Sequence, residues 1–229
     1  MATTTNNKIS YSEFTWDDNG RPRSVQFDDQ YFCKQNGLSE FQHVFCEGNE
    51  LRARWESLPK SGSGIFTIAE AGFGTGLNFL CTLPLWQEYG PPNWTLLYVS
   101  IDQFPLCDED LNKALKLWPQ LSDYARALTR QYSTMINQNR QASFLGGKVK
   151  LTLITKHVLR ALDDMRKENN RVDAWYLDGF APSKNPEMWS GDVFAKMALL
   201  SGEGTTVSTY TAAGFVRRGL IQNGFKTTR

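Results

Sequence analysis

The chain has 229 residues, 41% of them hydrophobic and 21% charged, which suits one full α/β domain at roughly 150 residues per domain and is too apolar for a disordered chain. With 25 Lys plus Arg against 24 Asp plus Glu, no global field marks it for nucleic acid, and any such contact has to come from a local patch. Cys33, Cys46, Cys81 and Cys107 form no C-x-x-C pair, which argues against a zinc site or a disulfide framework and for a reduced, cytoplasmic setting. The polar start MATTTNNKIS has no apolar stretch of the signal-peptide kind, and no run approaches the roughly 18 apolar residues of a membrane span.

Along the chain, residues 1–60 read as an N-terminal, β-rich extension. FTWDDNGRPRSVQF places an N-G between two runs of β character and predicts a hairpin. From residue 61 to 229 short apolar runs alternate with amphipathic stretches. Strands are expected at 64–70, 94–102, 149–155, 172–178 and 205–211, and helices at 76–88, 108–130, 157–168, 190–200 and 212–223. Pro84 lies inside the first helical pattern and is expected to kink or shorten it. The alternation predicts a mostly parallel, doubly wound sheet.

In such a sheet ligands sit at the carboxyl ends of the strands, where the strand order reverses. Three features fall there: EAGFGTGLNFL after the first strand, Asp102 after the second and Asp178 after the fourth. Gly72, Gly74 and Gly76 let a turn press against a ligand. Their spacing is not the G-x-G-x-x-G of dinucleotide sites and there is no G-K-[ST], so nicotinamide, flavin and P-loop chemistry are disfavoured. An acid two positions before the glycines would repel a pyrophosphate but hold an ammonium group, which S-adenosylmethionine carries. Asp102 would then accept hydrogen bonds from the ribose diol. Asp178, leading into DGFAPSKNPEMW, puts a carboxylate and an aromatic face where the methyl group would lie, and an amine acceptor needs a group to take or orient its proton. Each feature also has a plainer reading. The glycines can form a tight strand-to-helix connection, and Asp102 and Asp178 can serve as turn formers or caps. No metal is required, and only His43 and His157 are present to build a site for one.

FDDQYFCKQNGL, EAGFGTGLNFL, DGFAPSKNPEMW and TYTAAGFVRRGL, in that order, resemble the methyltransferase-domain family of MnmC, bacterial enzymes that complete 5-methylaminomethyl-2-thiouridine at the tRNA wobble position. The likeness runs from about Phe14 to the chain end. It implies a class I S-adenosylmethionine-dependent methyltransferase fold, Rossmann-like, with a small N-terminal β-hairpin extension. It implies S-adenosyl-L-methionine as cofactor and an aminomethyl uridine in the tRNA anticodon loop as acceptor. On that reading Glu70, Gly72, Gly74, Gly76, Asp102 and Gln103 bind the cofactor and Asp178 is catalytic. Phe180, Pro182, Lys184, Asn185 and Trp189 shape the acceptor pocket. Lys184, Arg217 and Arg218, with Lys226 and Arg229, are the local basic residues expected around it, although the arginine pair also reads as a solvated helix face.

The chain departs from the family pattern after two strands. IDQFP shortens the ribose carboxylate by a methylene at Asp102 and puts Gln103 for a lysine. ITKHV puts Lys156 and His157 where the family has an acid near the adenine. The end at NGFKTTR leads to the expectation that the last strand of the sheet and the flavin oxidase partner domain are missing. A non-catalytic tRNA-binding domain with a degraded cofactor site is the alternative.

Overall fold

The computed structural model describes residues 9–18, 20–32, 37–138 and 141–227. Asn19 of the N-G turn, Cys33 and Arg229 lie outside them. Strands β1 (Phe14–Trp16), β2 (Pro22–Ser24) and β3 (Asp29–Gln30) pair antiparallel in a small sheet. Helices follow within the extension: α1 (Gly37–Glu40) continues as a π-helical turn over Phe41–Glu47, and α2 spans Leu51–Ser57. Among the described residues of the expected β-rich extension, strands end at Gln30 and helix takes over from Gly37. Phe41, Phe45, Leu51 and Trp55 turn a continuous apolar face to the main core, and that helical spacing overrides the strand character of the residues before it.

The main body follows as β4 (Gly64–Ala71), α3 (Leu77–Tyr89), β5 (Trp94–Ile101), α4 (Asp108–Leu115), α5 (Ser122–Gln138), β6 (Ala142–Phe144), β7 (Val149–Ile154), α6 (Val158–Lys167), β8 (Val172–Leu177), α7 (Gly191–Leu200), β9 (Ser201–Thr209) and α8 (Gly214–Gln222). The sheet runs β6-β7-β5-β4-β8-β9, with β6 antiparallel to β7 and the other pairs parallel. From β4 the chain builds outward to β5 and β7 on one side, then returns to add β8 and β9 on the other. The order thus reverses beside β4, and a crevice opens there at the carboxyl ends of β4, β5 and β8.

Two expectations about the helices are corrected. The stretch 108–130 is not one helix: Trp118, with φ −121° and ψ 67°, precedes Pro119, which opens a 3-10 turn before α5. A residue before proline is pushed out of the helical region. Pro84 does not end α3, which continues to Tyr89. Phe79, Leu80, Leu83 and Trp86 are buried all round it, so packing outweighs the one hydrogen bond that proline removes. Strand β6 has too few residues to be legible by alternation.

Each face of the sheet carries its own core. Phe66, Ile68, Tyr98, Leu151 and Tyr176 pack against α2, α3 and α5, while Val99, Ile101, Trp175 and Leu177 pack against α6, α7 and α8. Arg54 ties α2 to the sheet edge, its guanidinium donating to Thr206 Oγ1 at 2.7 Å and to the carbonyls of Asp173 at 3.0 Å and Gly204 at 3.1 Å. Among the described residues no helix is long and apolar enough to cross a membrane.

Candidate active site

The three central strands stay zipped together to their ends. Gly72 N–H donates to the Ile101 carbonyl at 2.9 Å and Asp178 N–H to the Ala71 carbonyl at 3.0 Å. Gly72 has φ +101°, and a Cβ there would lie 2.3 Å from the Asp178 carbonyl oxygen, so the turn can leave β4 this close to β8 only without a side chain. The chain then presents Gly74 at φ +53°, whose N–H donates to Asp102 Oδ2 at 2.9 Å, while Phe104 N–H donates to Asp102 Oδ1 at 3.1 Å. Asp102 thus fastens the glycine turn to the end of β5. Gly76 faces the other way: a Cβ would strike Phe73 and Leu128 of the core.

Above these ends lies a cavity of about 530 Å³, within the range of small-molecule sites. Its wall includes Gly72, Gly74, Asp102, Gln103, Asp178, Phe180, Lys184 and Asn185, which brings eight of the sequence-predicted residues together. Six others and Lys226 are elsewhere, and Arg229 lies outside the described residues. Glu70 is 1% exposed and sits behind the wall. Trp189 is buried and braces the wall by donating Nε1–H to the Phe180 carbonyl at 2.9 Å. Gly76 belongs to the core, and Pro182, Arg217 and Arg218 do not line the cavity, the two arginines being exposed on α8.

Sequence reasoning does not reach two contributors to this wall. The first is the N-terminal sheet. Phe27 stacks on Phe180 with centroids 4.8 Å apart, and Tyr31 meets Phe180 edge-on at 5.1 Å. Asp29 Oδ2 accepts the Ala181 N–H at 2.9 Å, and Lys184 Nζ pairs with Asp28 at 2.8 Å. The F-D-D-Q-Y-F run is conspicuous as a cluster of aromatics and acids, but nothing in it names a partner some 150 positions on. The second is Asn78, in the first turn of α3 and 7% exposed. Its Nδ2 donates to Glu70 Oε1 at 2.9 Å and to Asp178 Oδ2 at 2.6 Å, and Ser100 Oγ donates to Glu70 Oε2 at 2.7 Å.

The carboxyls share one electrostatic trend. Burial pushes Glu70 up to about 8 against the hydrogen bonds from Ser100 and Asn78, with nearby Asp178 adding to the rise. Burial pushes Asp102 up to about 6 against the amides of Gly74 and Phe104. It also pushes Asp178 to about 6, where the Asn78 hydrogen bond lowers it and Glu40 raises it. Desolvation therefore leads in all three, and at neutral pH Asp178 is mostly ionised while Glu70 mostly keeps its proton.

Lys156 and His157, the departures from the expected acid, also line the cavity. Lys156 Nζ pairs with Asp164 at 2.7 Å. His157 accepts the Leu159 N–H at Nδ1 as the cap of α6 and meets Glu187 at 3.2 Å through Nε2. Among the described residues no group of three His, Cys, Asp or Glu side chains is placed to hold a metal ion.

The room beside Gly72 and Gly74, the carboxylate of Asp102 at the end of β5 and the cavity's size fit a nucleoside cofactor. Comparison with known proteins bears on the same point. Residues 119–229 match a family of S-adenosyl-L-methionine-dependent methyltransferases. The chain is 45% identical over 218 residues to the tRNA 5-methylaminomethyl-2-thiouridine biosynthesis bifunctional protein MnmC of Ectopseudomonas mendocina, a match covering 95% of this chain and 32% of that protein. It is 46% identical over 220 residues to the protein of the same name from Chromobacterium violaceum, covering 96% and 32%. The chain thus spans 32% of the length of these curated relatives. The crystal structure of MnmC2 from Aquifex aeolicus is similar in fold, with a TM-score of 0.67 at 21% identity, covering 96% of this chain and 67% of that one.

Proposed function

We propose that this chain, whose residues 119–229 match a family of S-adenosyl-L-methionine-dependent methyltransferases, uses that donor to methylate the amine of 5-aminomethyl-2-thiouridine at the tRNA wobble position, yielding the 5-methylaminomethyl form, in the cytoplasm. The observation that carries the proposal is the placement of Asp178 on one cavity wall with the glycine turn on its one side and the rings of Phe27, Tyr31 and Phe180 near it. The 45% identity to a protein named for biosynthesis of that nucleoside supports the choice of acceptor.

On this reading the backbone of Gly72 and Gly74 borders the cofactor and Asp102 takes its ribose hydroxyls, with Gln103 beside them. When bound, S-adenosylmethionine supplies a methyl group on a sulfonium, already an electrophile. The protein's part is then positioning and proton management. A primary amine near the reference pKa of about 10 arrives mostly protonated. Asp178, ionised above about 6, accepts the hydrogen bond of the ammonium and takes its proton, freeing the lone pair. Phe27 and Phe180 offer faces on which an unpaired pyrimidine can stack, the usual way a single-stranded base is held. Asn185 and Lys184, on the loop that begins at Asp178, border the same space.

The test is mass analysis of tRNA nucleosides after incubating the protein with S-adenosylmethionine and tRNA that carries the aminomethyl nucleoside. Conversion to the methylaminomethyl form is expected. Asp178→Asn should slow single-turnover transfer by roughly 10²-fold, the scale of a positioned base, with cofactor affinity retained. No conversion by the parent protein would overturn the proposal.

A further inference from the structure

We propose that Asn78 is a positioning residue whose side-chain amide links the two acids of the site and holds the Asp178 carboxylate in the orientation and charge state that proton transfer needs. The inference rests on the reading of Asp178 just given.

A carboxamide nitrogen has two protons, and both are spent here, one on Glu70 Oε1 at 2.9 Å and one on Asp178 Oδ2 at 2.6 Å. Turning the amide over would set its oxygen against the ionised Asp178 carboxylate, which opposes the flip. The surroundings are held as well: the Asn78 main-chain carbonyl accepts from Thr82 Oγ1 at 2.7 Å, and Glu70 is held at its other oxygen by Ser100. The two hydrogen bonds, made from a buried position, hold the side-chain amide between the acids. It fixes Oδ2 of Asp178, and among the described residues no donor holds Oδ1, which leaves that oxygen to the cavity.

The groups that face Asp178 make the amide more than a brace. Glu70 comes from β4, Glu40 from α1 and Tyr98 from β5, and none of these carries positive charge. The cationic or basic side chains on the same wall are engaged elsewhere: Lys184 with Asp28, Lys156 with Asp164 and His157 with Glu187. Asn78 is therefore the donor that favours the ionised form of Asp178 against burial and an acidic neighbour.

The first test is Asn78→Asp, which keeps the shape and removes both donors. Single-turnover methyl transfer is followed across pH with cofactor saturating. The acid limb of the profile is expected to move up by about one unit or more, so that the rate falls about tenfold at pH values on that limb, about twofold or more at neutral pH, and recovers in alkali, while cofactor affinity changes little. An unmoved acid limb would reduce Asn78 to a packing residue. The second test needs no turnover: the Asp178 carboxyl is titrated by carbon NMR in the parent and in Asn78→Ser, using Asp178→Asn to assign the signal. An upward midpoint shift in the Ser variant supports the inference even where the Asp variant fails to fold, and an unchanged midpoint overturns it. If Asp178→Asn transfers at the parent rate, the reading of Asp178 fails instead, and this titration still decides whether Asn78 controls its charge.

Discussion

Glu70 is an acid that the fold prefers to keep protonated. Its carboxyl titrates at about 8 in the folded chain, against an ordinary value of 4.5. Between those limits the folded state therefore holds a proton that the unfolded chain has already released, and stability must fall as pH rises through the window. The effect is fully present as stability below about 4.5 and gone above about 8. Asp102 and Asp178, each raised to about 6, act in the same direction over the lower part of the range. Thermal unfolding of the protein without cofactor should thus show a falling midpoint from pH 5 to 8, on the order of a few kcal/mol in total. Glu70→Gln, which can still accept from Asn78 and donate to Ser100, should flatten most of that fall. A Gln variant with the parent's slope would mean that Glu70 is ionised throughout.

At the scale of elements, the site depends on an antiparallel sheet near one end of the chain gripping a loop near the other. Asp29 accepts the Ala181 N–H, and Lys184 pairs with Asp28. The ion pair is exposed and contributes little by itself, so the grip lies in the backbone contact and the ring stack. Asp29→Ala should raise hydrogen exchange at the Ala181 amide and weaken binding of the tRNA acceptor, leaving cofactor affinity near the parent value. Unchanged exchange at Ala181 would show that the stack alone suffices. This grip was beyond the reach of the sequence, because periodicity and motif spacing report on neighbours along the chain. The strand ends were legible for the same reason: an acid or glycine that closes an apolar run at Ala71, Ile101 or Leu177 has to emerge at one edge of a parallel sheet. What spacing cannot say is which way a side chain at that edge turns. Glu70, within β4, therefore looks like a ligand-facing acid in the sequence and lies behind the wall in the fold. The break at Pro119 was open to reading, whereas the tolerance of Pro84 depends on burial that only the assembled core supplies.

At the scale of the whole molecule, a net charge of +1 offers no long-range attraction for tRNA. Affinity then has to come from a local basic patch, and its salt dependence reports how many phosphates that patch meets. Arg217 and Arg218 stand exposed on α8, outside the cavity. Reversing both charges is expected to weaken tRNA binding and to reduce the slope of log affinity against log salt by about two, with cofactor binding unaltered. An identical slope would leave them as solvated surface. The contact between Asp29 and Ala181 joins residues 152 positions apart, and that separation has a consequence for the order of folding. Closing so long a loop is entropically late, and as the chain emerges from the ribosome its first strands wait, without their partner loop, until nearly all of the sheet has been synthesised. The aromatic wall is consequently expected among the last parts of the molecule to form, and a chain stalled before Phe180 would leave Phe27 and Tyr31 without the ring that they meet in the fold.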